Sequence, residues 1–198
     1  MEETNELSGE ESLQLITRMI NKARNDYHDT GVSALLWGSV ITVFSLLTFF
    51  NYYLHWKCLD YAWIITFLAV IPQVIIGIRE KKQKKIKGHE DSFMGGLWMS
   101  FGITMGLMAF IEGRYGFNES YLSIYLVLYG IPTFTSGYGK RFRPMIIGGI
   151  ACWVFAILNA FTPFPWQMLY VAAAAQLAWF IPGLILRKSY LKAKKKYV

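Results

Sequence analysis

The residues that could do chemistry in this chain are few, and none of them lies in an apolar segment. The clusters His89-Glu90-Asp91 and His28-Asp29 combine imidazole and carboxylate groups, so together they could bind a metal ion or act as an acid and base pair. Short polar loops commonly contain such residues, so a surface role is the simpler interpretation. The chain has no G-x-S-x-G, H-E-x-x-H or P-loop motif and no acidic pair within an apolar segment. The sequence therefore predicts a protein that is not an enzyme.

The sequence also lacks the patterns typical of metal sites, cofactor sites and ion-coupled transport. Two isolated cysteines and three scattered histidines lack the spacing of a structural zinc site, so we expect no cofactor. Proton- or sodium-coupled transport usually places an ionisable side chain within the membrane, and the apolar segments contain no Asp, Glu, Lys, Arg or His. Ion coupling is therefore disfavoured.

The elements that would position any functional group are long apolar segments. Of the 198 residues 54% are hydrophobic, 17% are aromatic and only 17% are charged, which is typical of a multi-pass membrane protein. A bilayer core about 30 Å thick requires roughly 20 apolar helical residues per span. We predict an all-α fold with six transmembrane helices, at residues 32–54, 61–78, 93–111, 121–138, 145–161 and 166–186.

An internal repeat groups these six segments into pairs. Each second segment contains an Ile-Pro dipeptide, at Pro72, Pro132 and Pro182. Trp37 precedes the first of these prolines by 35 residues, and Trp98 precedes the second by 34. We therefore predict three tandem, parallel helical hairpins over about residues 31–79, 93–139 and 144–186 within one domain, residues 31–186.

The three prolines also predict local distortion. A proline within a helix removes one backbone hydrogen bond and crowds the carbonyl four residues earlier, so each even-numbered helix should kink. Such kinks usually serve packing. The alternative is that they line a cavity open to the cytoplasm, and the residues that would form it are Pro72, Gln73, Pro132, Thr133, Thr135 and Pro182.

The basic residues indicate the orientation of the chain. Of the 20 Lys and Arg residues, only Lys57 and Arg114 fall on one side of the predicted spans. Because basic loops are retained in the cytoplasm, both termini are expected there. The formal charge of +7 then reflects topology, and no nucleic acid is expected as a partner. Anionic lipid headgroups or a protein partner would be contacted by Lys81, Lys82, Lys84, Lys85, Arg187 and Lys188.

Two segments lie outside the predicted membrane domain. Residues 1–30 form a cytoplasmic segment in which Ser8-Gly9-Glu10-Glu11 has the form of a capping box, followed by apolar residues at helical spacing. This amphipathic helix would lie in the membrane interface or dock a partner. Residues 187–198 form a basic cytoplasmic tail.

Small and amide residues predict contacts between the helices. The Gly102-x-x-x-Gly106 motif allows close backbone approach, and we expect it to serve contacts within the chain. Asn159 and Gln176 lie in apolar surroundings, where hydrogen bonds between helices would satisfy their amides.

With these features the whole chain resembles a family of small, uncharacterised six-span bacterial inner-membrane proteins. The motifs that carry the resemblance are the amphipathic helix at residues 11–23, Leu36-Trp37-Gly38, and Lys140-Arg141-Phe142-Arg143-Pro144 running into Ile146-Ile147-Gly148-Gly149. Members of that family often accompany a small winged-helix regulator. The resemblance implies a bacterial inner-membrane location and an accessory or sensory role, but no site.

Two functions remain open at this stage. The first is a non-enzymatic accessory or sensory membrane protein that acts through a cytoplasmic partner or anionic lipid. The second is a facilitator or channel for a small neutral or amphipathic solute, whose path would run between the proline-kinked helices. The absence of charge in the spans and the pronounced basic clusters favour the first.

Overall fold

The described part of the chain is a bundle of helices without a β-strand. A computed structural model describes residue 13 and residues 30–56, 62–83, 89–116, 118 and 120–196. The α-helices are α1 Val32–Leu54, α2 Ala62–Thr66, α3 Val70–Gln83, α4 His89–Tyr115, α5 Ser120–Gly139, α6 Arg143–Ala160, α7 Gln167–Ala175 and α8 Ile181–Lys196. A 3-10 segment, Phe67–Ala69, joins α2 to α3, and a π-helical segment, Gln176–Phe180, joins α7 to α8. The predicted all-α class is confirmed for these residues.

Four stretches of helix among the described residues have the length and apolar composition needed to cross a membrane. They are Val32–Leu54, Ser92–Tyr115, Arg143–Ala160 and Gln167–Lys192. A helix of this length reaches across the hydrocarbon core because each residue adds about 1.5 Å along the axis. The fold is therefore compatible with a membrane protein, as the composition predicts.

Local sequence explains where two of the helices begin. Pro144 lies in the first turn of α6, where its missing N–H costs no helical hydrogen bond and its fixed φ suits the helix. Helix α1 follows Gly31, whose φ of 69° lies in the left-handed region that glycine adopts without strain. A Cβ on Gly31 would also lie 2.5 Å from the carbonyl oxygen of Gly183, so α1 and α8 approach closely there.

The core lies between α1, α5, α6 and α7 with its π-helical extension. Its buried side chains are Ile41, Leu122, Leu126, Tyr129, Cys152, Ala156, Met168, Val171, Ala174, Ala175, Ala178 and Trp179. Helices α5 and α6 share the most extensive interface, and α7 with the π-helical segment packs against α1 and α6. Since small alanines line α7, its neighbours can approach its backbone closely.

The remaining helices flank this core. The segment from α2 to α3 packs along α1, whereas α4 packs along α5 and reaches the core with Trp98, Phe101 and Met105. A Cβ built on Gly102 or Gly106 of α4 would meet nothing within 4 Å. The expectation that this motif serves contacts within the chain is therefore wrong for the described residues. The packed side of α4 carries Trp98, Phe101 and Met105 instead, whereas Phe93 and Phe110 are exposed.

Two predicted segments differ from, or lie beyond, what the structure describes. The predicted amphipathic helix of the N-terminal segment lies outside the described residues except for Leu13, which is helical. The predicted tail at residues 187–198 is helical as far as Lys196, because α8 continues without interruption from Ile181. The basic residues of this stretch are thus presented on a helix.

Candidate functional site

The three prolines occur in three different helical settings. The 3-10 segment Phe67–Ala69 precedes Pro72 and contains Leu68, whose carbonyl the proline leaves without its usual partner. The π-helical segment Gln176–Phe180 precedes Pro182 and contains the corresponding Ala178. Such changes of helical pitch let a freed carbonyl find another partner. Helix α5, in contrast, remains α-helical through Pro132.

The residue that follows Pro72 joins α3 to α1. The side-chain oxygen of Gln73 accepts a hydrogen bond from the indole N–H of Trp37 at 3.1 Å, and its amide nitrogen donates to Ser33 Oγ at 3.1 Å. Both ends of the Gln73 amide are thus used within one pair of helices. This contact satisfies polar groups inside an apolar bundle, where an unpaired group is costly.

The residue that follows Pro132 joins α5 to the π-helical segment. Thr133 is fully buried, and its hydroxyl accepts a hydrogen bond from Trp179 Nε1 at 2.9 Å while it donates to the carbonyl of Tyr129 at 2.7 Å. One turn further along α5, Ser136 Oγ accepts from Trp98 Nε1 of α4 at 3.1 Å. Three helices are therefore linked through indole N–H groups.

The predicted cavity residues are thus distributed over two separate contacts. Pro132, Thr133 and Pro182 are all buried, and Trp179 connects the second and third proline-bearing helices. Gln73 contacts Ser33 and Trp37 on another side of the bundle. The Thr135 hydroxyl donates to the carbonyl of Ile131 in its own helix at 2.8 Å. A shared cavity around these residues stays a prediction.

The two predicted amide contacts are confirmed. Gln176 Nε2 donates to Thr42 Oγ1 at 2.8 Å and so connects the π-helical segment to α1. Asn159 Nδ2 donates to Ser123 Oγ at 3.3 Å and connects α6 to α5. These two contacts are neutral, whereas α5 and α4 are joined through a carboxylate, because the Tyr125 hydroxyl donates to Glu112 Oε2 at 2.8 Å. No three His, Cys, Asp or Glu residues in the described part of the chain come together as a metal site would require.

Basic side chains gather at the end of the bundle formed by Thr30, α3, the turn between α5 and α6, and α8; we call this the basic end. Of the predicted lipid or partner contacts, Lys82 and Lys188 are exposed and Arg187 is half-buried, with its guanidinium 5.6 Å from the centre of the Tyr190 ring. Lys81 belongs to α3, but its side chain is outside the description, and Lys84 and Lys85 lie outside the described residues. Further exposed basic residues here are Arg79, Arg141, Arg143, Lys192 and Lys195.

One carboxylate at the basic end is engaged within the fold. The Thr30 hydroxyl, which precedes α1, donates a hydrogen bond to Glu80 Oε1 of α3. The contact ties the chain entering α1 to the end of α3.

The opposite end of the bundle carries a pocket of about 420 Å³. It lies between Ser120 and Ser123 of α5, the turn at residues 160–163, and Gln167 of α7. Asn159 is predictable from the sequence as a buried amide, whereas Gln167 and the two serines are not. The sequence feature that could have pointed to the pocket is the pair of polar residues on either side of the Phe161-Thr162-Pro163 turn. Their spacing, however, does not indicate that they share a pocket.

Comparison with known proteins gives no family, relative or fold for this chain. No family model matches it, and neither a curated protein nor a solved structure does so.

Proposed function

We propose that this chain is a six-span protein of the bacterial inner membrane, built from three parallel hairpins with both termini in the cytoplasm. Four helical stretches have the required length and apolar character, and residues 62–83 and α5 would provide the remaining two spans. The resemblance to small six-span inner-membrane proteins supports the same arrangement. In this topology the basic end faces the cytoplasm.

Its function, in this proposal, is a non-enzymatic accessory or sensory role exerted through a cytoplasmic protein partner or anionic lipid. The observation that carries it is the group of exposed basic side chains at one end of an apolar bundle, on α3, α6 and α8. Each basic side chain near an anionic membrane surface contributes about 1 kcal/mol of attraction. Several together would hold a partner or lipid at this end.

A solute facilitator has less support. A path for a neutral solute needs hydroxyls, amides or carbonyls that are free to exchange partners. Gln73 and Thr133, the polar residues next to two of the prolines, instead form hydrogen bonds that join neighbouring helices. Their contacts favour a closed, packed bundle.

Cross-linking in native membranes, followed by co-purification and mass spectrometry, tests the proposal. We would compare the full chain with one that lacks residues 1–26, and with a variant carrying Arg79→Gln and Lys188→Gln at the basic end. Arg114→Gln, which neutralises an exposed basic residue of α4 away from that end, is the matched control.

A partner or anionic lipid that is captured by the full chain and the Arg114 variant, but reduced in the basic-end variant, supports the proposal. Loss of capture on deletion of residues 1–26 would identify the N-terminal segment as part of the contact. Equal capture by all four chains, or none by any, contradicts a specific role of the basic end.

A further inference from the structure

One residue in the wall of the pocket between α5, α7 and the turn at residues 160–163 has a buried hydrogen-bond acceptor that lacks a donor among the described residues. Gln167 lines the pocket and is 3% exposed. Its Nε2 donates to the carbonyl of Asn159 at 3.1 Å, whereas its Oε1 has no hydrogen-bond partner among the described residues. This places an acceptor without a donor beside a pocket.

A second buried acceptor belongs to Asn159, which contacts a residue of the pocket wall. Asn159 is fully buried, and its Nδ2 donates to Ser123 Oγ of the pocket wall at 3.3 Å. Its Oδ1, like the Gln167 oxygen, finds no donor in the described part of the chain. The Gln167 side chain is thus bonded to the main chain of Asn159, and the Asn159 side chain to the pocket wall.

The energetic cost of two such acceptors is substantial. A buried acceptor that lacks a donor costs about 1–3 kcal/mol, and native proteins contain few of them. A ligand with O–H or N–H donors in the pocket would recover part of this cost. Because both oxygens are enclosed, the Gln167 side chain has to shift slightly for a donor to reach Oε1.

The lining restricts the chemistry of the ligand. The hydroxyls of Ser120 and Ser123 can donate or accept, and Phe161 and Pro163 add an apolar rim. Thr162 Oγ1 donates to the carbonyl of Leu158 at 2.8 Å, so it offers a ligand an acceptor only. The described lining carries no charged side chain, so a charged ligand would lose hydration without a counter-charge. The volume of about 420 Å³ has room for a solute of roughly a dozen heavy atoms, judged by about 30 Å³ per water molecule.

We propose that this pocket binds a small uncharged polyol, whose hydroxyls donate to Gln167 and Thr162 and exchange hydrogen bonds with the serine hydroxyls of the wall. The binding site depends only on the geometry of the described residues. Its exposure to the extracytoplasmic side rests on the proposed topology. In a sensory protein, this ligand would be the signal received on that side.

Equilibrium binding of radiolabelled mannitol and radiolabelled glucose to the purified full chain in detergent tests the proposal. We expect saturable binding of at least one of the two at one site per chain. Ala160→Phe should weaken it by roughly tenfold or more, equivalent to about 1.4 kcal/mol per factor of ten, because the new ring fills the pocket without removing a hydrogen bond. Val154→Phe places the same ring on the exposed side of the same helix and should bind as the original chain does.

Two further variants guard against a folding defect and locate the contact. Ser120→Trp blocks the pocket from α5, so it replaces Ala160→Phe if that variant is not monodisperse. Gln167→Leu removes the acceptor and should also reduce binding. If neither probe binds saturably up to about 10 mM, the proposal is overturned. The Gln167 and Asn159 side-chain oxygens would then be explained as acceptors for bound water. Undiminished binding in folded Ala160→Phe and Ser120→Trp overturns it as well. Because no partner protein enters this assay, its result is independent of the cross-linking test.

Discussion

Replacing Gly148 by alanine perturbs a close approach between α6 and the π-helical segment. An added Cβ would lie 2.5 Å from the Cα atom of Ala178 and 2.6 Å from the carbonyl oxygen of Leu177. Both are backbone atoms, so no side-chain rotation can relieve the overlap. The two elements have to move apart, which also loosens the buried contacts around Ala178.

The magnitude follows from two opposing effects. Overpacking of a well-packed site costs about 1–3 kcal/mol. Alanine in a helix is more favourable than glycine by about 0.5–1 kcal/mol, which offsets part of that cost. We therefore expect Gly148→Ala to lower the free energy of unfolding by about 1 kcal/mol, within limits of about 0 to 2.5 kcal/mol.

Gly102 of α4 provides the matched control. A Cβ built there meets no atom of the described residues within 4 Å, so we expect only the helix-propensity effect. Gly102→Ala should leave stability unchanged or raise it by up to about 1 kcal/mol. Reversible unfolding by SDS titration in mixed micelles, followed by tryptophan fluorescence, measures both variants. Equal destabilisation by the two substitutions, or a larger loss for Gly102→Ala, would refute this account of the packing.

Two further predictions concern the hydrogen bonds and prolines of the core. Trp179→Phe removes the donor to Thr133 and leaves unfilled space at a buried site, so it should lower the free energy of unfolding by at least about 1 kcal/mol in the same titration. Trp56→Phe, at an exposed position, should change it by less than about 0.5 kcal/mol, and equal losses would contradict a role for the buried bond. Proteoliposomes should pass glycerol no faster than protein-free liposomes. A protein-dependent flux that Pro132→Ala or Pro182→Ala abolishes would instead favour the facilitator.

The apolar helices could largely be predicted from the sequence, because composition determines which segments can be buried or lie in lipid. The first predicted span, residues 32–54, coincides with α1, and the fourth and fifth agree with α5 and α6 within two residues at each end. The helices at the third and sixth predicted spans are longer than predicted, because α4 and α8 continue into polar residues. Hydropathy marks the apolar part of a helix, whereas backbone hydrogen bonding continues beyond it.

The contacts between helices were less predictable. Small residues permit close approach but do not select a partner, so Gly148 packs against the π-helical segment whereas Gly102 faces open space. Proline identity predicted distortion, but Pro132 lies in an unbroken α-helix while the other two prolines follow a 3-10 and a π-helical segment. Tertiary packing around each proline decides between these outcomes.

The polar pocket could not be predicted, because its residues are far apart in sequence. Asn159 was selectable as an amide in an apolar segment, and its bond to Ser123 is present. Gln167 follows a proline-rich turn, where a glutamine is ordinarily an exposed residue, yet it is buried. Only the packing of α7 against α6 brings its amide beneath the turn.

In the proposed function, the basic end of the bundle faces the cytoplasm, where a partner or lipid acts on it. Labelling of single cysteines by a membrane-impermeant maleimide tests it most directly, in a chain whose two native cysteines are replaced by serine. Ser189→Cys presents an exposed thiol at the basic end, and Phe161→Cys presents one at the rim of the pocket. We predict that Phe161→Cys is labelled in intact cells and Ser189→Cys only after lysis. Labelling of Ser189→Cys in intact cells would contradict the claim.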